Sequence, residues 1–294
     1  MSKESYGSLY AILSGFLYGF IGYFGVSIIH ASISVTNMLF WRFLISSIVI
    51  VIFIIACNRQ AKTSCKEMLW AFINGAFFYG VSSLLYFLAC PYIGTGLAMV
   101  IFFTYPAAVM LLSHFLYGQK IAAIYYIALL IIIVGIIFLI DKKEIQFDLW
   151  GIILSLASAL FYAFYIVSSK KISLLSPSLS TLMVCLGCTA LNLFLSLGNH
   201  SLSVPSTLSA WLNLLGIGIL STAAPVLLLL YSLNYITSEK ASVLSVLEPV
   251  FVLVCGVTLL GEPMKLRYLF GTIIVLGGAL LTLFHKKINL DGEA

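Results

Sequence analysis

Runs of apolar residues, each about as long as a bilayer is thick, fix most of what this chain can become. The stretch "IALLIIIVGIIFLI", residues 127–140, carries no polar side chain at all. About 20 such residues in a helix cross the hydrocarbon core of a membrane. Windows of that length fall near 7–29, 35–57, 67–89, 94–116, 121–140, 149–169, 178–197, 210–233, 239–260 and 267–285. Only 9% of the 294 residues are charged, against roughly 25% in soluble domains, so the chain cannot dress a water-facing surface. In lipid the backbone must satisfy its own hydrogen bonds, which leaves helices or a closed barrel. A barrel strand alternates polar and apolar residues, and these runs do not. The expectation is an all-α membrane protein of ten transmembrane helices with no sizeable soluble domain.

Lysine and arginine orient it. With ten helices and the N-terminus inside, Lys3, Arg59, Lys62, Lys66, Lys120, Lys170, Lys171, Lys240, Lys286 and Lys287 lie on the cytoplasmic side, and Lys142, Lys143, Lys265 and Arg267 outside. Ten against four places both termini in the cytoplasm, and the net charge of +5 then needs no nucleic acid to explain it. The opening "MSKESYGSLYAILSG" has an apolar part too long for a signal peptide and no small-residue cleavage site, so an uncleaved first helix is expected. The six cysteines suggest no disulfide framework; Cys185 and Cys188 share a helix face, but without further ligands nearby they read as packing. No cofactor and no metal are expected.

The chain repeats itself. "GSLYAILSGFLYGF" from Gly7 aligns without gaps on "GIILSLASALFYAF" from Gly151, setting Ser14 on Ser158, Tyr18 on Tyr162 and Phe20 on Phe164. "YIGTGLAMVIFFTYPAAV" from Tyr92 aligns on "YITSEKASVLSVLEPVFV" from Tyr235, setting Pro106 on Pro249, Gly118 on Gly261, Gly135 on Gly278, and Tyr105 on Glu248. The segments "LYFLACPYI" and "LYSLNYI" also correspond, with two residues' difference in length. Each copy holds five helices, an odd number, so the second enters the membrane from the opposite side. Two inverted five-helix repeats, 7–140 and 149–285, around a central cavity are expected, with 286–294 as a short cytoplasmic tail. Many secondary transporters are built this way, because two halves that exchange conformations give one state open to each side.

Several residues stand out against the apolar background. Gly15, Gly19 and Gly22 form a small stripe on the first helix, as Ser155, Ala159 and Ala163 do on the sixth; such stripes let helices approach closely. Tyr18 and Tyr162 flank them, either as cavity-lining hydrogen-bond donors or as tyrosines at packed crossings. Glu248 lies about 14 Å into the ninth helix at 1.5 Å per residue, near the midplane, where an ionisable side chain is a functional candidate by default. The alternative is a protonated carboxyl that glues helices together. Pro249 beside it frees the Ser245 carbonyl and kinks the helix; Pro106, beside Tyr105, frees the Phe102 carbonyl. Arg42 either snorkels to the outer interface or faces the cavity, pairing with Glu248 or with a substrate carboxylate. Asn74, Tyr79, Tyr86 and Tyr231 add polar groups on the third and eighth helices. Glu262 reads as a cap of the tenth helix.

The stretch "SVLEPVFVLVCGVTLLGEPMKLRYLFGTIIVLGGALL" resembles the second repeat of EamA-type proteins of the drug/metabolite transporter superfamily, with a Leu-Glu-Pro helix, a Gly-Glu-Pro loop and a glycine-rich last helix. "FWRFLIS" and "YITSEKAS" resemble that family too, and the likeness covers about residues 7–285. It implies the ten-helix inverted-repeat bundle with a central cavity. It also implies export of small metabolites or amino acids from the bacterial cytoplasm across the inner membrane. Arg42, Glu248 and Pro249 are the motif positions it carries over. Tyr105 departs from the pattern, so the site is asymmetric and coupling through paired carboxylates is not expected. The candidate substrate-contacting residues are Tyr18, Tyr162, Tyr105, Glu248, Arg42, Asn74, Tyr79 and Tyr231. The proton is the candidate coupling ion and Glu248 its carrier. An uncoupled facilitator, a membrane enzyme and a helper subunit remain as alternatives; the expected partners are a small-molecule substrate and the bilayer.

Overall fold

The computed structural model describes residues 3–21, 23–24, 28, 33–57, 64–139, 148–172, 174–251, 254 and 266–284. Among them every regular element is helical. In chain order these are α1 (Lys3–Tyr18), α2 (Val35–Ala56), α3 (Cys65–Ile73), a first π turn (Asn74–Gly80), α4 (Val81–Phe102), α5 (Tyr105–Tyr117), α6 (Ala123–Leu139), α7 (Leu149–Ser169), α8 (Pro177–Gly198), α9 (Leu208–Gly218), a second π turn (Ile219–Ala223), α10 (Ala224–Leu233), α11 (Ser238–Ser245) and α12 (Leu266–Phe284). Six described helical stretches are long and apolar enough to cross a membrane: Val35–Ala56, Cys65–Gly94, Leu97–Tyr117, Leu149–Ser169, Pro177–Gly198 and Leu208–Leu233. Shorter apolar helices cover Ala123–Phe138 and Leu269–Leu281. The Gly22, Cys255, Gly261, Glu262 and Lys265 expectations fall outside the described residues, as do those on the tail 286–294.

Helix ends are marked chemically. Ser34, Asp148, Ser176, Thr207 and Thr237 each accept a bond from the backbone N–H three residues on, satisfying donors that a helix start leaves open. Gly118 closes α5 in the left-handed conformation at φ 62°, and Gly94, at φ 75° and ψ 155°, breaks α4 into two spans. Both conformations suit glycine, which has no Cβ to clash. Outward faces carry bare hydrocarbon, with Ile55, Phe115, Phe194 and Leu149 all exposed, as lipid permits and water does not.

Packing exchanges partners between the halves. Helix α1 lies on α10 and α11, while α7 lies on α4 and α5; α2 packs on α8, and α6 on α12. Individual contacts follow suit. A Cβ on Gly7 would meet Tyr235 Cβ at 2.7 Å and Ile236 Cγ2 at 2.9 Å; one on Gly151 would meet Tyr92 Cβ at 2.8 Å and Ile93 Cγ2 at 2.5 Å. Ser14 Oγ donates to the Pro225 carbonyl, and Ser158 Oγ to that of Ser82, both at 2.8 Å. Gly135 abuts Val275, and Gly278 abuts Ile132.

The proline-marked helices differ from expectation. Neither proline kinks a continuous helix. Helix α4 stops at Phe102, Phe103 and Thr104 form a turn, and Pro106 sits in the first turn of α5. Proline is suited there, because the N–H it lacks would have no partner anyway. In the second half, Val246 and Leu247 form the turn and helix resumes at Glu248. The alignment of Pro106 on Pro249 makes the two interruptions coincide. The two π turns coincide as well: setting Tyr86 on Tyr231 puts Asn74 on Ile219, the first residue of each.

Candidate functional site

The two interruptions and the first π turn meet at one cavity. Its volume is about 70 Å³, several times the ~10–15 Å³ that a single water needs on this measure. Tyr18 and Ile21 line it from the first span, Arg42 from α2, Tyr79 from the first π turn, and Ser82, Ser83, Tyr86 and Phe87 from α4. Met99, Phe102, Phe103, Tyr162 and Glu248 complete the wall. Most of this surface is aromatic or aliphatic, with a few convergent polar groups, the usual make-up of a small-molecule site.

Each polar group is set by its element. Tyr18 ends α1, and its hydroxyl lies 3.2 Å from that of Tyr79. The Tyr79 ring stacks on Tyr165 at 4.8 Å. Tyr162 stands edge-on to Tyr105, also at 4.8 Å, and 5.9 Å from Tyr79. Four of the expected residues thus join Tyr165 in one buried aromatic layer. The small stripe on α1 serves the same place: a Cβ on Gly15 would lie 3.0 Å from the Ser245 carbonyl and 3.6 Å from the Glu248 nitrogen. Glycine is what lets α1 rest against the broken backbone beside Glu248.

Arg42 does not snorkel. It is only 3% exposed and its guanidinium is tied to the second π turn. Nε donates to Thr222 Oγ1 at 2.6 Å and Nη2 to the Ser221 carbonyl at 3.4 Å. Glu248 is half-buried on the cavity wall. The two do not form an ion pair; the ion pair among the described residues is Lys240–Glu4, at 2.7 Å. The cavity therefore holds a cation and a carboxylate that are not joined to each other.

Three expected residues lie off the lining. Tyr105 backs it, its ring against Tyr162 and its hydroxyl donating to the Ser242 carbonyl at 3.1 Å. Asn74 is fully buried and ties the first π turn to α7, donating to Ser169 Oγ at 2.8 Å and accepting from Ser168 Oγ at 2.6 Å. Tyr231 packs against Tyr10 at 5.8 Å. The reading of the residues missed Ser82, Ser83 and Thr222. A period-3.6 count from Tyr79 would have found the two serines, which lie three and four residues on. Nothing in the local sequence announces Thr222.

Known proteins place the chain. The description "EamA-like transporter family" matches it twice, over residues 5–141 and 149–284. It is 25% identical over 300 residues to "Uncharacterized transporter YxxF" of Bacillus subtilis, across 99% of this chain and 94% of that one. It is 28% identical over 280 residues to an "Uncharacterized transporter" of Archaeoglobus fulgidus, across 94% and 96%. A protein of known crystal structure shares the fold at a TM-score of 0.81 and 17% identity, over 94% of this chain and 96% of that one. With both halves matched and a mostly apolar cavity carrying a few polar groups between multiple apolar helices, this multi-pass membrane protein belongs to the EamA-like transporter family.

Proposed function

We propose that the protein is a secondary transporter that exports small metabolites or amino acids by alternating access, with the proton as coupling ion. The observation that carries this reading is the exchange of contacts between the halves. Gly7 on Tyr235 answers Gly151 on Tyr92, and the breaks before Tyr105 and Glu248 answer each other. Such reciprocity supports two inverted five-helix repeats, 7–140 and 149–285, related by an axis in the membrane plane. Two halves so related can swap conformations, which opens the cavity alternately to each side. The Lys and Arg distribution supports cytoplasmic termini, and the family resemblance supports a bacterial inner membrane.

Within the cavity, Tyr18, Tyr79, Tyr162, Arg42 and Glu248 contact the substrate. Tyr105 and Asn74 hold the lining from behind, and Tyr231 lies off it with its ring against Tyr10. Glu248, with no cation within 4 Å among the described residues, is free to exchange a proton with the cavity, which favours a carrier over a gate. The chain works by moving its substrate, not by converting it. The test is Glu248→Gln in proteoliposomes. Flux driven by a pH gradient should vanish, while counterflow without a gradient should persist. Full gradient-driven flux in the variant would leave Glu248 as helix glue, and absence of gradient-driven flux in the wild type would make the protein an uncoupled facilitator.

A further inference from the structure

We propose that Arg42, oriented by Thr222, is a binding site for a single carboxylate group carried on an apolar body, which makes Thr222 a positioning residue of the substrate site. The proposal rests on the reading of the cavity as that site. A guanidinium has five N–H donors in a rigid planar fork. Two of its three nitrogens are engaged, Nε by the Thr222 hydroxyl and Nη2 by the Ser221 carbonyl. No carboxylate lies within 4 Å of it among the described residues. The side chain lines the cavity, so the far end of the fork is presented there. A buried cation with no carboxylate in contact is costly at membrane depth, and an incoming oxyanion relieves that cost through bidentate, charge-assisted bonds.

The orientation is imposed by the second π turn. Thr222 Oγ1 donates its own proton to the Ile217 carbonyl at 2.7 Å, so towards Arg42 it can only accept. That holds the Nε–Nη2 edge of the fork against the π turn and leaves Nη1 and the second Nη2 hydrogen for a ligand. The backbone under Arg42 is fixed as well. Ser46 Oγ lies 2.7 Å from both the Arg42 and the Gly218 carbonyls, and a Cβ on Gly218 would meet the Arg42 carbonyl at 3.2 Å. The charge class follows from counting. Among the described lining residues Arg42 is the one cation and Glu248 the one carboxyl, so with Glu248 protonated a monocarboxylate leaves the cavity neutral, whereas a dianion such as a phosphate monoester leaves excess negative charge whichever state Glu248 takes. The rest of the wall, Met99, Phe87 and Phe102 among it, suits hydrocarbon.

The test uses the purified full-length protein in nanodiscs, with binding read by quenching of intrinsic tryptophan fluorescence and by thermal shift. The probes are 3-phenylpropionate, its methyl ester, octanoate and phenyl phosphate. Both carboxylates should bind, and the ester and phosphate should bind at least about tenfold more weakly, the loss of one charge-assisted contact. Arg42→Gln should abolish the preference for acid over ester. Thr222→Val should weaken acid binding about tenfold without changing ester binding, and Thr222→Ser should restore it. Ser83→Trp, which fills the cavity, separates the two readings. If acid binding survives it, the cavity is not the site. If it abolishes binding yet acid and ester bind wild type equally, the carboxylate proposal alone fails. Failure of both carboxylates to bind wild type, or normal acid preference in Arg42→Gln, also overturns it. The acid-to-ester comparison needs no variant, so it stands even if a substitution disturbs folding.

Discussion

Replacing Gly187 with alanine adds one methyl group where two helices touch through their backbones. A Cβ there would lie 2.1 Å from the Phe72 carbonyl oxygen and 2.7 Å from the Ala76 nitrogen. Neither is a side chain that can swing aside. Ordinary contact begins near 3.4 Å, so α8 and the α3–π segment must part by about 1.3 Å. Overpacking of this kind costs about 1–3 kcal/mol, and alanine's better helix propensity returns at most about 1 kcal/mol. A net loss of about 1–2 kcal/mol is expected. The displaced segment runs into the first π turn, which carries Tyr79, and the Tyr18–Tyr79 hydroxyl contact at 3.2 Å has little slack to absorb such a shift. Gly187→Ala should therefore lower both thermal stability and ligand binding. Gly277→Ala is the control: nothing lies within 4 Å of its added Cβ, so it should be neutral or slightly stabilising. Unfolding can be followed with a thiol-reactive dye after Cys57 and Cys65 are changed to serine, since Cys185 and Cys188 are buried on α8. If Gly187→Ala unfolds at the wild-type temperature while Gly277→Ala unfolds lower, the close-approach argument is wrong.

Other expectations follow from single contacts. Lys240 is 5% exposed in its side chain and its partner Glu4 is 50% exposed. Glu4→Gln should thus destabilise more than Lys240→Met, because it strands a buried cation, and a double-mutant cycle should give a coupling of about 1 kcal/mol; zero coupling would make the contact incidental. Cys57 and Cys65, both exposed, flank a basic connection and should react with an impermeant maleimide in inside-out vesicles only. Labelling in intact cells would reverse the topology. Reporter fusions at residue 294 and within 198–209 should give cytoplasmic and external signals respectively; a cytoplasmic signal from the loop would remove the inverted-repeat reading.

The sequence by itself determined the solvent and the class of fold, and it displayed the internal similarity that the family description matches twice. Apolar runs of membrane length without polar alternation leave helices as the spanning structure. Pairs such as Gly7 and Gly151 could be matched by eye because the same close approach demands the same small residue in each half. The Leu-Glu-Pro segment likewise marked where a carboxylate meets a break. What only the tertiary structure decided is how side chains on different helices meet. Helical periodicity assigns Arg42 to a face of α2, but whether that face looks at lipid or at Thr222 depends on where α9 and the second π turn lie. The same limit applied to Arg42 and Glu248, whose separation is a property of helix crossings. It applied to Asn74 and Tyr231, whose faces were readable but whose neighbours were not. The π turns were illegible for a related reason. Each adds a residue to a helical turn to suit tight backbone packing, as at Gly75 and Val184, and local propensity carries no trace of a partner many residues away. The prolines show the boundary between the two. The residue type announced an interruption, while the conformation of the two residues before each helix restart was set by what packs around them.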